Sequence, residues 1–186
     1  MSKILRVNMT EGKVAFEDVP EKYKNLGGRG LTSSIVCDEV PPDCHPLGPN
    51  NKLVIAPGIV SGTAAPTSGR ISFGAKSPLT GTIKETNSGG MASQKIAHLG
   101  IKAIIVEGQP KEKGKLYTLK ITKDGAELLP ADDIAGKGMY EVDSILGQKH
   151  GKVAIIGVGP AAEWGLTNAG ISVNDPENRP GRYAGR

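Results

Sequence analysis

Leu53-Val54-Ile55-Ala56, the loop from Pro57 to Gly69, and Arg70-Ile71-Ser72-Phe73-Gly74-Ala75-Lys76 form the stretch on which the fold assignment turns. Four uninterrupted apolar residues predict a short buried strand. The second run alternates, with Ile71, Phe73 and Ala75 set against Arg70, Ser72 and Lys76, as a strand with two unlike faces does. The loop between them is built of glycine, serine, threonine and alanine, a composition that suits tight turns and close backbone approach. Toward the N-terminus, Ile4 to Met9 and Val14 to Asp18 flank Thr10-Glu11-Gly12-Lys13 and predict a hairpin. A short helix is expected over Glu21 to Leu26, stopped by Gly27-Gly28. A second helix starts near Gly30, with Leu31, Ile35 and Val36 on one face, and ends at Pro41-Pro42.

Toward the C-terminus, Ser77 to Gly81 predicts a turn and Thr82 to Glu85 a strand. A helix from Met91 to about Leu99 follows, with Gly100 as its stop. Ala103 to Glu107 predicts a buried strand. Leu116 to Thr122 alternates and turns at Lys123-Asp124-Gly125. Met139 to Lys149 predicts a helix with Tyr140, Val142, Ile145 and Leu146 near one side, and Val153 to Ile156 a last buried strand. The end of the chain, Asn178 to Arg186, shows no periodicity. Strands, hairpins and scattered helices without regular βαβ alternation predict an α+β fold with mixed or antiparallel sheets. A faint echo between residues 52–58 and 152–157 raises two related lobes, but is too short to establish duplication.

The composition narrows the function. Twenty-six glycines among 186 residues is about twice average usage, and they cluster in loops rather than repeating. The net charge of +4 is spread without a basic run, and aromatics are only 4%, so a nucleic-acid partner is not expected. No stretch approaches the ~20 apolar residues of a membrane span. The opening residues lack the apolar run of a secretory leader, and the chain is expected to be cytoplasmic.

Cys37, Cys44 and His45 are the closest group of soft ligands, but C-x6-C-H is not a zinc spacing, and two cysteines cannot supply the four ligands of an iron–sulfur cluster. His98 and His150 lie near predicted helix C-termini, where a dipole or surface role is expected. No G-x-S-x-G is present, and Asp132-Asp133 reads as a solvated turn. Gly157-Val158-Gly159-Pro160-Ala161-Ala162 partly matches a dinucleotide fingerprint, but too little chain follows for the second half of that fold.

Three glycine-rich segments carry the remaining signal. They are Gly27-Gly28-Arg29-Gly30, then Ser68-Gly69-Arg70 with Asn87-Ser88-Gly89-Gly90, and Gly181 to Arg186. Glycine lets the backbone approach a ligand closely, arginine forks onto phosphate, and Gly89-Gly90 precedes a predicted helix N-terminus. Each segment alone also fits ordinary turns with surface arginines. Together they raise a large phosphorylated cofactor, and the residues themselves leave both readings open.

The wording of these segments resembles the tungsten-containing aldehyde:ferredoxin oxidoreductase family. The likeness runs through Gly27 to Leu31, Asn51 to Arg70, Lys76-Ser77-Pro78-Leu79-Thr80-Gly81 and Asn87 to Gly90. It continues through Leu99 to Gly108, Gly157 to Glu163 and Arg182 to Arg186, nearly the whole chain. The resemblance implies that residues 1–186 form the N-terminal domain, a β-sheet base cradling tungsten, or molybdenum, held by two pyranopterins. It implies that Arg70 contacts one pterin and Arg182 the second. Asn87, Ser88, Gly89 and Gly90 would line the phosphate side, and the backbone carbonyls of Asn87 and Tyr183 would bind a magnesium bridging the two phosphates. No catalytic side chain is implied within this chain.

The rest of such an enzyme, as further domains or a partner subunit, would supply a [4Fe–4S] cluster, the channel for a small aldehyde, and contact with ferredoxin. The other function class is a stand-alone binding or scaffold protein that keeps the fold without redox chemistry. The cofactor reading makes a geometric demand: loops 62–70, 86–91 and 181–186 must converge on one face.

Overall fold

The computed structural model describes Ser2 to Ala184, and for Arg182 the backbone only. Six strands form the main sheet: β1 (Lys3–Asn8), β2 (Lys13–Asp18), β3 (Lys52–Pro57), β4 (Ile71–Lys76), β5 (Ile83–Ser88) and β6 (Ile101–Glu107). Their order is β2-β1-β6-β3-β4-β5. The β1–β6 pair is parallel and the other four pairs are antiparallel. A separate hairpin comprises β7 (Tyr117–Thr122) and β8 (Gly125–Pro130), whose Thr122↔Gly125 register places the turn at Lys123-Asp124. A three-stranded antiparallel sheet is built from β9 (Ile156–Gly157), β10 (Ile171–Val173) and β11 (Arg182–Ala184), in the order β11-β10-β9. The helices are α1 (Gly28–Glu39), α2 (Ala92–His98), α3 (Met139–His150) and the single turn α4 (Pro160–Glu163). This is the α+β architecture that the order of elements predicts. Among the described residues no helix is long and apolar enough to cross a membrane.

Strand alternation sorts the apolar side chains onto the two faces of the main sheet. Ile4, Val54, Ala56, Ala103 and Ile105 pack against Leu31, Ile35 and Val36 of α1. Leu5, Val7, Ile55, Ile71, Phe73 and Ile104 point the other way, toward Ala92 and Ile96 of α2 and Val173 and Ala184 of the small sheet. Both faces are therefore covered, which is why β3 and β6 read as unbroken apolar runs. The β1–β6 register shifts between Lys3 and Ile4, whose partners are Ile101 and Ala103. Lys102 is the extra residue of this bulge.

One end of the main sheet carries a charge network. Arg6 reaches Glu17, Glu39 and Glu107, and Lys52 reaches Glu39 and Glu107, all at 2.7–3.0 Å. Burial alone would raise the Glu39 carboxyl, but the Arg6 and Lys52 hydrogen bonds outweigh it and hold the group below its ordinary value.

Several local expectations change. The helix expected over 21–26 is a single 3-10 turn at Glu21–Tyr23, because six residues between proline and glycine are too few to repay helix nucleation. Gly27 and Gly28 start α1 instead of stopping a helix: Gly27 is its extended N-cap and Gly28 its first residue. Of the expected 153–156 strand only Ile156 is in the ladder, together with Gly157 after it. The polar groups before it are taken by the Asn174 side chain, whose Oδ1 accepts from the Ile155 amide and whose Nδ2 donates to the Val153 carbonyl. In α3 the inward residues include Val142 and Asp143, whereas Tyr140 is 72% exposed. The tail expected to be irregular contributes β11, three residues being too short to show a period.

Candidate functional site

The loop after β3 is fixed at both ends. Gly58 donates its amide to the Arg70 carbonyl at 3.1 Å, and Ser61 Oγ donates to the Ser68 carbonyl at 2.7 Å. Gln94 of α2 ties the middle, accepting from the Gly62 amide and donating to Ser68 Oγ. Gly62 lies at φ +80°, where a Cβ would come within 2.8 Å of the Ala97 side chain. This tethering holds Arg70 immediately ahead of β4.

Arg70 and Asn87 are brought together directly. The Ser72↔Asn87 register sets Asn87 beside the start of β4, and Arg70 Nε donates to Asn87 Oδ1 at 2.6 Å. Asn87 Nδ2 in turn donates to Ser72 Oγ at 3.1 Å. Ser72 is buried, whereas Arg70 is exposed and pairs with no carboxylate among the described residues. The tether takes its Nε–H and no other guanidinium nitrogen.

The start of α1 approaches the same place. A Cβ on Gly28 would lie 3.5 Å from Ser72 Oγ, and Gly28 itself sits at φ +50°. Arg29 Nε bonds Glu85 Oε2 at 3.0 Å on the same strand, β5. No side chain caps α1. Gly28 and Arg29 thus bring the GGRG segment against β4 and β5, beside Ser72.

The glycine pair after β5 meets the small sheet. Gly90 is at φ +102°, and a Cβ there would lie 2.7 Å from both the Asn174 carbonyl oxygen and Val173 Cγ1. The Met91 amide donates to that same carbonyl at 3.2 Å. Ser88 is buried, with its Oγ donating to the Gly89 carbonyl. Strand β11 packs beside β5. Ala184 enters the core, so Tyr183 points to the other side and is 60% exposed.

The Ile71↔Ser88 and Ser72↔Asn87 register sets Arg70, Asn87, Ser88, Gly89 and Gly90 at one end of β4 and β5, a rim beside which β11, the strand of Tyr183, packs. For Arg182 the backbone pairs with Val173, while its side chain lies outside the described residues, as do Gly185 and Arg186. Ser72 and Asn174 are parts of this rim that the sequence did not single out. Neither carries a motif: each acts by holding another residue's polar groups.

Two carboxylates, Asp143 of α3 and Asp175 after β10, lie near each other. Asp175 is held below its ordinary value, first by the Arg179 backbone amide and also by the Arg179 side chain. Asp143 is 1% exposed, and neither of its oxygens has a hydrogen-bond partner. Burial, with the Asp175 charge added, pushes its carboxyl up to about 6. Cys37 is exposed on α1, and His45 Nδ1 accepts from the Leu47 amide.

The family model for the aldehyde ferredoxin oxidoreductase N-terminal domain matches residues 4–186. The chain is 38% identical over 184 residues to the tungsten-containing aldehyde ferredoxin oxidoreductase of Thermococcus kodakarensis, and 37% identical to that of Pyrococcus furiosus. Each match covers 97% of this chain and 30% of the relative, so the chain spans about a third of their length. Among solved structures, the active site complex BamBC of benzoyl coenzyme A reductase, in complex with 1,5-dienoyl-CoA, superposes with a TM-score of 0.89 at 28% identity. That match covers all of this chain and 28% of the other. Sequence and architecture agree from the first strand to the last: the chain belongs to the aldehyde ferredoxin oxidoreductase N-terminal domain family.

Proposed function

We propose that the chain, as one domain over residues 1–186, is the cofactor-cradling part of a tungsten or molybdenum bis-pyranopterin oxidoreductase. The observation that carries this is the Arg70–Asn87 pair, set on one rim with Gly89-Gly90, beside the strand of Tyr183. The residues fit the group. Arg70 is exposed, is tethered by a neutral acceptor, and so offers a charged fork suited to a phosphate. Gly90 packs against Asn174 and Val173 and so anchors the turn that carries Gly89, and Asn87 and Tyr183 stand on the neighbouring strands β5 and β11, where their carbonyls would hold a magnesium ion. Arg182 would serve the second pterin.

The bound group would supply the two-electron chemistry by which an aldehyde and water become a carboxylic acid. This chain's part is to bind and orient: Arg70 neutralises phosphate charge, and the glycine backbone admits the ligand. The electrons would leave through a [4Fe–4S] cluster held by the other domains or by a partner subunit, with ferredoxin as acceptor. The names of the relatives support the tungsten and the aldehyde, and the share of their length outside the match supports the need for further chain. Two unpaired cysteines, Cys37 and Cys44, agree with a cytoplasmic setting.

The test is metal and pterin content per folded protein, in this chain joined to the sequence that completes the enzyme and produced with tungstate. The expected result is two pterins per metal, with metal lost on Arg70→Ala at unchanged circular dichroism. Full metal retention in Arg70→Ala would remove the rim from the cofactor site.

A further inference from the structure

The Arg70–Asn87–Ser72 chain of hydrogen bonds has only one consistent direction. Arginine donates and does not accept, so the Asn87 amide must present its oxygen to Arg70 Nε. The amide nitrogen is thereby turned to Ser72 Oγ, which must accept. Ser72 is 1% exposed, so this acceptor is shielded from water and fixed by the sheet. The register is fixed as well, since Ser72 and Asn87 are direct cross-strand partners in β4 and β5. The start of α1 lies beside the hydroxyl: a Cβ on Gly28 would stand in ordinary contact, 3.5 Å from Ser72 Oγ.

A guanidinium meets an oxyanion in one of two forked ways, through Nε with one Nη or through the two Nη groups. Here the Nε edge is occupied. We infer that Ser72 is a positioning residue: through the Asn87 amide it locks the Nε edge of Arg70, so that Arg70 meets a phosphate end-on, through both Nη groups. The inference rests on the reading of this rim as a phosphate cradle. It adds a residue that touches no ligand and a single mode of approach for the anion.

The experiment uses the chain itself, with inorganic pyrophosphate as the probe. Two quantities are followed by NMR: protection of the Arg70 Nε–H from solvent exchange, and pyrophosphate affinity. In the unaltered chain the Nε–H is protected before and after pyrophosphate is added. Ser72→Ala is expected to lose that protection and to bind pyrophosphate about three- to tenfold more weakly, at an unchanged melting temperature. Ser72→Thr, which keeps the hydroxyl, restores both; if the added methyl prevents folding, exchange in Ser72→Ala decides alone. Retained protection and affinity in Ser72→Ala, with affinity lost in Arg70→Ala, would overturn the positioning role and leave the cradle standing. Retained affinity in Arg70→Ala would overturn both.

Discussion

Gly90 and Asn174 touch through backbone alone: the missing Cβ of one would stand 2.7 Å from the carbonyl oxygen of the other. At φ +102° no side chain is favoured at Gly90 in any case. Gly90→Ala should therefore cost about 2 kcal/mol or more, because strain and collision add. Gly81→Ala is the control. It shares a positive φ but has open space, and should cost about 1 kcal/mol. Urea denaturation of the two variants measures both. Equal losses would show that the small sheet yields at Asn174.

Asp143 should make stability fall as pH rises. Its folded-state pKa, about 6, lies above the ordinary value of 3.8, so the folded chain holds this proton longer than the unfolded one. The cost is absent below the unfolded value, grows between the two, and is complete above about pH 6. Asp143→Asn should then stabilise by roughly 1–2 kcal/mol at pH 7.5, a figure discounted for solvent screening, and by little at pH 4. Thermal melts of both proteins at the two pH values check this. A gain independent of pH would assign the effect to shape rather than charge.

Arg6 should matter most where its carboxylates are ionised. Arg6→Met leaves Glu17, Glu39 and Glu107 with Lys52 as the remaining cation of the network. A loss of about 2–4 kcal/mol is expected at pH 7. Glu39 is held below its ordinary value in the folded chain, so its contribution is present at neutral pH and disappears as pH falls through that lowered value. The penalty of Arg6→Met should accordingly shrink toward pH 4. Melts across that range provide the measurement.

The rim residues should rank by how they would meet the cofactor. In the completed enzyme Arg70→Lys should recover only part of the metal lost in Arg70→Ala, because an ammonium keeps the charge without the fork. Asn87→Ala should also lose metal, since it frees Arg70 Nε. Gly89→Val should lose more, a β-branched side chain blocking close approach. Tungsten per folded protein, by mass spectrometry, gives the ranking. Full retention in every variant would reduce these loops to ordinary turns.

Much of this was legible in the residues because it follows from periodicity. The alternation of Ile71, Phe73 and Ala75 and the apolar runs of β3 and β6 identify strands whether or not their partners are known. The convergence of Arg70 and Asn87 was legible only through family resemblance, because seventeen positions separate residues that meet by sheet register. What stayed hidden depends on side chains standing in for backbone. Asn174 occupies the polar groups of Val153 and Ile155, and no local pattern announces that. Ser72 looked like the polar side of an alternating strand, and its burial comes from α1 lying over it.

The parallel seam between β1 and β6 also sets an order of events during synthesis. Without β6, the main sheet falls into two separate antiparallel pieces, the β1–β2 hairpin and the β3–β4–β5 meander. Strand β6 joins them, pairing with β1 on one side and β3 on the other. The first strand therefore waits for residues 101–107 to leave the ribosome before its second edge is covered. A nascent chain halted before Ile101 would display two unfinished sheet edges, each able to pair with a neighbour. The Arg70–Asn87 pair, already complete in β4 and β5, would be in place before the sheet that supports it was closed.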